Sequence, residues 1–186
     1  MTAAAAPAKA WAALALLAIG LVAMAALQAR RPAPNADMVE LVNSDSARLS
    51  PFLDASGKEV SIESFRGKTV ILNLWAPWCV PCLQEMPSLD RLAGQLQDFA
   101  VVAVTKDPVG DSPSKAMFDK MGLKRLKLNL DPEGRLAPEV GARGFPTTLI
   151  PSPDGKPLAY REGAADWDSD AMIAKLDRLA ERSKAD

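Results

Sequence analysis

The sequence predicts an α/β fold, a central mixed β-sheet with flanking helices, preceded by an N-terminal transmembrane helix. Three observations predict it. Two short, continuous, β-rich apolar runs, Thr69–Trp75 and Phe99–Thr105, read as strands buried on both faces. Between and after them lie segments whose apolar residues recur every three or four positions, the period of an amphipathic helix. Ahead of everything stands a stretch of about twenty residues without charge, long enough to cross a bilayer.

That stretch is residues 10–29, mostly Ala, Leu, Ile, Val and Met, with Trp11 near one end where an aromatic ring suits the interface. A cleaved signal peptide is the competing reading. It has a shorter apolar run and a small-residue cleavage site, so length favours an uncleaved anchor. Lys9 precedes the run and Arg30-Arg31 follow it, too small a charge difference to fix the orientation. Residues 1–9 are then a tail, and 30–37, with Pro32, Pro34 and Asn35, an exposed linker. The folded domain is expected over residues 38–186.

Within that domain, Ser56-Gly57 marks a turn, and the alternating polarity of Lys58–Ile62 predicts a small hairpin. Arg66-Gly67-Lys68 is a second turn before the strand Thr69–Trp75. A helix follows from Cys79 onwards, with Leu83, Met86, Leu89, Leu92, Ala93 and Leu96 on one face. Phe99–Thr105 is the next strand. Ser112–Met121 is an amphipathic helix, with Pro113 early and Gly122 just past its end. Leu126–Leu130 is a short strand and Leu136–Val140 a short helix. Thr147–Ile150 and Pro157–Arg161 flank Asp154-Gly155, a hairpin turn signal. Asp168–Arg182 closes the chain as a helix, with Met172, Ile173, Leu176, Leu179 and Ala180 facing the core. The order β-α-β-α-β-α-β-β-α implies a mixed sheet between helices.

Composition narrows the chemistry. The chain has 186 residues, 48% hydrophobic, a net charge of −1 and no long run of like charge, which argues against nucleic acid. It has no histidine, which excludes imidazole acid–base catalysis and the common imidazole metal sites. Its two cysteines are Cys79 and Cys82. So short a loop adds little entropic stabilisation as a staple, so the pair makes better sense as a reactive group.

Cys79 falls at the start of a helix beginning near Val80. Free N–H groups and the positive dipole end there favour thiolate over thiol, which points to Cys79 as the attacking sulfur. Pro81 fits the first helical turn, where its missing N–H costs nothing. Cys82 lies nearly one turn on, placed to attack a mixed disulfide at Cys79 and release the partner. Half a zinc site is the bland reading of the pair, and the chain has neither histidines nor further cysteines to complete one. A second functional class is Cu(I) handling by Cys79, Cys82 and Met86, three soft ligands on one helix face, although Met86 shares the spacing of core residues. A third is a peroxide-reducing enzyme of the related peroxiredoxin fold, against which the Trp78-Cys79-Val80-Pro81-Cys82 setting argues.

The segment Val70–Pro87 (VILNLWAPWCVPCLQEMP) resembles the active site of the thioredoxin superfamily. More narrowly, WCxPC with a downstream Glu-x-Pro is similar to the TlpA/ResA-type membrane-anchored thiol–disulfide oxidoreductases, over roughly Leu49 to the last helix. An insertion at Ser112–Leu130 fits the same group. The resemblance implies a thioredoxin-like sandwich. It implies a protein-disulfide reductase with no cofactor beyond the Cys79–Cys82 disulfide and no metal. Its partners would be disulfide-bearing proteins, a membrane thiol donor of electrons, and the bilayer through residues 10–29. The work implied is cytochrome c or cytochrome oxidase maturation, from the inner membrane, as a single-pass protein with its soluble domain facing the periplasm.

The resemblance also implies site residues. Gly144-Phe145-Pro146-Thr147, on its own an ordinary turn before a strand, would be a cis-proline loop opposing the cysteines. Phe145 would offer its backbone to an extended substrate. Glu85 would handle the proton of Cys82, although a solvated glutamate in the first helical turns is an equally good reading. Asn73 stands where thioredoxin itself carries a buried aspartate. Trp75, Pro77, Trp78 and Val80 would form an apolar rim, Trp75 in the core and Trp78 as contact surface. Trp78, Val80, Pro81, Phe145 and Pro146 are the expected substrate-binding residues.

Overall fold

The computed structural model describes residues 38–40, 49–95, 98–151 and 157–185. The expected tail, anchor and linker, residue Leu96 and the Asp154-Gly155 turn lie outside them. Among the described residues, eight strands form one sheet: β1 (Val39–Glu40), β2 (Phe52–Asp54), β3 (Glu59–Val60), β4 (Thr69–Trp75), β5 (Phe99–Thr105), β6 (Leu128–Leu130), β7 (Thr147–Pro151) and β8 (Pro157–Glu162). Four α-helices accompany them among the described residues: α1 (Val80–Gln95), α2 (Pro113–Met121), α3 (Leu136–Glu139) and α4 (Asp170–Ala185). The strand order is β1-β8-β7-β4-β5-β6-β2-β3. β4, β5 and β6 run parallel and the remaining pairs antiparallel, so the sheet is mixed.

β4 is buried along its whole length because both its faces are covered. Val70, Leu72 and Leu74 pack with Phe52, Val102, Val104 and Leu136. Ile71 and Trp75 point the other way, into a larger core with Met86, Leu89, Leu92, Trp167, Leu176 and Leu179. The two-residue period of a strand thus separates two cores. It also puts Asn73 on the side of α1, where its amide reaches Glu85.

The ends of α2 follow from local chemistry. The Ser112 hydroxyl accepts the Lys115 N–H at 3.2 Å, Pro113 occupies the first turn, and Gly122 ends the helix at φ 63°. Several boundaries depart from the sequence reading. β3 stops at Val60, and Ile62 opens a 3₁₀ turn (Ile62–Phe65). The last helix starts at Asp170 rather than Asp168, because Asp168 is engaged with Arg91. β6 starts at Leu128 rather than Leu126, because Asp90 captures the N–H groups of Lys124, Arg125 and Leu126. β1 was not foreseen: Val39 pairs with Tyr160 and Glu40 with Ala159.

Candidate active site

β4 ends at Trp75 and α1 begins five residues later, so the intervening turn sits at the carboxyl end of a central strand. Cys79 N–H donates to the Ala76 carbonyl at 3.1 Å, and the Cys79 carbonyl accepts the Leu83 N–H at 3.1 Å as the first helical bond. Cys79 is therefore the residue that caps α1. Its Sγ is joined to Cys82 in a disulfide and accepts the Cys82 N–H at 3.2 Å. An amide at the positive end of a helix aimed at this sulfur stabilises negative charge on it once the bond is opened.

Cys79 is 4% exposed and Cys82 fully buried. Cys79 is thus the cysteine nearer the surface. Trp78 and Val80 stand out beside it, 74% and 62% exposed. Trp75 is in the core, as its place in the strand implied.

The Phe145–Pro146 peptide is cis. The Phe145 ring meets the Trp78 indole edge-on, with centroids 5.9 Å apart, so the loop faces the cysteine turn. The loop is braced behind: the Pro146 carbonyl accepts the Gly163 N–H at 2.9 Å, and Thr147 Oγ1 donates to the Gly144 carbonyl at 2.7 Å. Arg143 makes a two-pronged bond to Glu162, which also accepts the Tyr160 hydroxyl at 2.7 Å. These donors, Arg143 first, hold the Glu162 carboxyl down to about 2.

Glu85 is not the solvated glutamate that one reading allowed, because it is 2% exposed. Oε1 accepts from Asn73 Nδ2 at 2.8 Å. Oε2 accepts from the Ala165 N–H at 2.9 Å and the Trp167 indole N–H at 2.8 Å. Burial pushes this carboxyl up to about 7, against the opposing pull of Trp167, Asn73 and Ala165 and the charge of Arg161. Asn73 Nδ2 also bonds Thr148 Oγ1 at 3.0 Å, while its Oδ1 has no partner. Turning the amide over would present that oxygen as an acceptor for a protonated Glu85, so the site suits both states of the carboxyl. Trp167, Ala165 and Thr148 gave no signal in the sequence, since they reach Glu85 and Asn73 only through the fold.

Beside the disulfide lies a cleft of about 490 Å³, lined by Trp75, Trp78, Thr105, Lys106, Met117 and Phe145. Met86 is fully buried in the core. Its place among the core residues disfavours the Cu(I) reading of Cys79, Cys82 and Met86. Among the described residues, no group of three or more His, Cys, Asp and Glu side chains is placed to hold a metal ion.

A mixed sheet, a helix capped by a Cys79–Cys82 disulfide and a facing cis-proline define a thioredoxin-like protein. The chain belongs to the AhpC/TSA family, whose sequence profile matches residues 31–157. It is 28% identical over 110 residues to the thiol-disulfide oxidoreductase ResA of Bacillus thuringiensis subsp. konkukian, covering 59% of this chain and 64% of that protein. It is 37% identical over 98 residues to the thioredoxin-like protein YneN of Bacillus subtilis, covering 51% of this chain and 56% of that one. The matched region is thus less than two thirds of either relative's length. Among solved structures, the pneumococcal exposed lipoprotein thioredoxin of Streptococcus pneumoniae superposes with a TM-score of 0.57 at 27% identity. The match covers 71% of this chain and 98% of that one.

Proposed function

We propose that this chain is a thiol–disulfide oxidoreductase that reduces disulfides in partner proteins. The observation that carries the reading is the Cys79–Cys82 bond at the start of α1, with the Cys82 N–H on the Cys79 sulfur. In the reduced protein the Cys79 thiolate attacks one sulfur of a partner disulfide. The partner's other sulfur leaves as a thiolate and takes a proton from solvent. Cys82 then gives up its proton and attacks Cys79 Sγ, which forms the intramolecular disulfide and frees the second partner sulfur. Two electrons pass to the partner. Glu85, buried three residues from Cys82 on the same helix and half ionised near neutrality, is the group to receive the Cys82 proton. Trp78, Val80, Pro81, Phe145 and Pro146 hold the partner segment across the disulfide.

The finer reading follows the relatives. The apolar run at residues 10–29 anchors the domain in the inner membrane as a single span, with the domain on the periplasmic side. A membrane thiol donor re-reduces the pair, and no cofactor beyond the disulfide takes part. The relative named ResA and the structural neighbour described as an exposed lipoprotein support an extracytoplasmic role. Cytochrome c or cytochrome oxidase maturation is the work proposed.

Equilibration with glutathione buffers tests the direction of flow. A potential near about −270 mV, like thioredoxin's, is expected, and one near about −120 mV would make the protein an oxidant instead. Fast consumption of peroxide without a disulfide partner would replace the reading with a peroxidase.

A further inference from the structure

β5 is paired along only part of one edge. Against β4 it runs in register from Phe99 to Thr105. On its other side β6 covers only Ala103–Thr105. The direction of the backbone groups is fixed by three bonds. The Thr69 N–H, on the β4 side, donates to the Asp98 carbonyl at 2.8 Å. The Asp131 N–H donates to the Thr105 carbonyl at 2.8 Å, and Asn129 Nδ2 to the Ala103 carbonyl at 3.2 Å, both on the β6 side. Successive residues alternate, so Phe99 and Val101 turn their N–H and C=O groups to the open edge. Among the described residues nothing pairs with them there. The edge is open because Asp90 draws residues 124–126 away from β5.

A groove of about 340 Å³ runs along this edge. Arg66 and Lys68, from the turn before β4, line it together with Arg125 and Lys127, from the approach to β6. All four are exposed, and among the described residues none meets a carboxylate at ion-pair distance. Arg125 is laid across Gly94, where a β-carbon would overlap its guanidinium and δ-carbon. Glu63, Asp90 and Asp98 lie beside these segments, and the charge of Arg125 reaches Asp90, so four cations stand against three carboxylates. Lysines and arginines at an open edge also prevent two identical edges from pairing. That same repulsion excludes a second copy of this chain and leaves a strand of opposite charge as the fitting occupant.

We propose that the open edge of β5 docks an extended, acidic segment of a partner protein. The segment adds to the sheet as a strand opposite Phe99 and Val101, with its carboxylates over Arg66, Lys68, Arg125 and Lys127. This edge lies at the start of β5, whereas the disulfide follows the far end of β4. A partner held here leaves Cys79 free. The site stands independently of the redox reading, since it is read by binding and not by exchange.

The test uses the full chain in detergent and a fluorescein-labelled peptide, acetyl-Glu-Val-Glu-Val-Glu-Thr-Glu-amide. Saturable binding is expected. It should weaken at least about tenfold in R66E/K68E and in R125E/K127E, and on raising salt from about 0.05 to about 0.5 M. The amides of Phe99 and Val101 should gain protection from hydrogen exchange with peptide bound. Exchange activity on a small disulfide should be unchanged in both variants, which also shows that they fold. Three outcomes would overturn the proposal. One is absence of saturable binding, or binding indifferent to the charge reversals. Another is equal binding of the peptide N-methylated at alternate residues, since a strand needs those amides. The third is binding of dihexanoyl phosphatidylglycerol through the same four cations with no response to the peptide, which would assign the patch to a membrane surface.

Discussion

The indole N–H of Trp167 donates to Oε2 of Glu85 at 2.8 Å, and neither side chain has appreciable contact with solvent. The bond ties the segment before α4 to the helix that carries the disulfide. Ser88 strengthens the tie: its hydroxyl accepts the Trp167 N–H at 3.1 Å and donates to the Glu85 carbonyl at 2.7 Å. A carboxyl sealed in this way bears on both stability and chemistry.

Burial raises Glu85 from 4.5 to about 7 in the folded protein. The folded state therefore prefers the protonated form. The stability this contributes is complete below the ordinary carboxylate range and is lost as pH rises through about 7. The rise corresponds to about 3 kcal/mol. Urea titrations from about pH 4.5 to 8.5 should show E85Q gaining on the unsubstituted protein by that order as pH increases. A constant difference between the two would contradict the assignment.

Asp90 is a second buried carboxyl of opposite character. Burial alone would raise it, but the N–H groups of Leu126, Arg125 and Lys124 hold it below its ordinary range. Asp90→Asn should cost about 1–3 kcal/mol at neutral pH, because it weakens the acceptor for three amides. The stability that Asp90 contributes is present above the ordinary carboxylate range and lost as pH falls through its lowered value. The deficit of the variant should therefore shrink in acid. Chemical denaturation at pH 7 and pH 3 checks both statements.

The two cysteines have unequal roles if Cys79 attacks and Cys82 resolves. C82S should accumulate a covalent mixed disulfide with a partner protein, seen as a band that collapses on reduction, and C79S should not. Equal trapping by both variants would reverse the roles.

Trp78 is largely exposed and meets Phe145 edge-on. Trp78→Ala should change stability by less than about 0.5 kcal/mol. Its kcat/KM for a folded protein disulfide should fall about 5- to 30-fold if it anchors the partner. A small disulfide such as oxidised glutathione should react at nearly the original rate.

Much of this was legible from local pattern. β4 and β5 begin and end where their apolar runs do, because a strand covered on both faces is built mostly of apolar residues, with Asn73 as the polar exception that bonds Glu85 and Thr148. Pro113 and Gly122 bracketed α2 through backbone chemistry that needs no tertiary context. The burial of Glu85 also left a trace: it lies three residues after Cys82 and four before Leu89, one turn from each, on the face that buries Cys82, Leu89 and Leu92. What stayed hidden depends on distant partners. β1 is two residues long and exists through its pairing with Tyr160 and Ala159. The start of β6 is set by Asp90 from another element. Trp167 reaches Glu85 across 82 positions of sequence.

The ionisation of reduced Cys79 tests the central claim most directly. The pH dependence of its alkylation by iodoacetamide, with Cys82 identified separately by mass spectrometry, reports it. A midpoint well below the value of about 8.5 for free cysteine is the expected result, since the Cys82 amide and the start of α1 face the sulfur. A midpoint at or above that value would contradict the account.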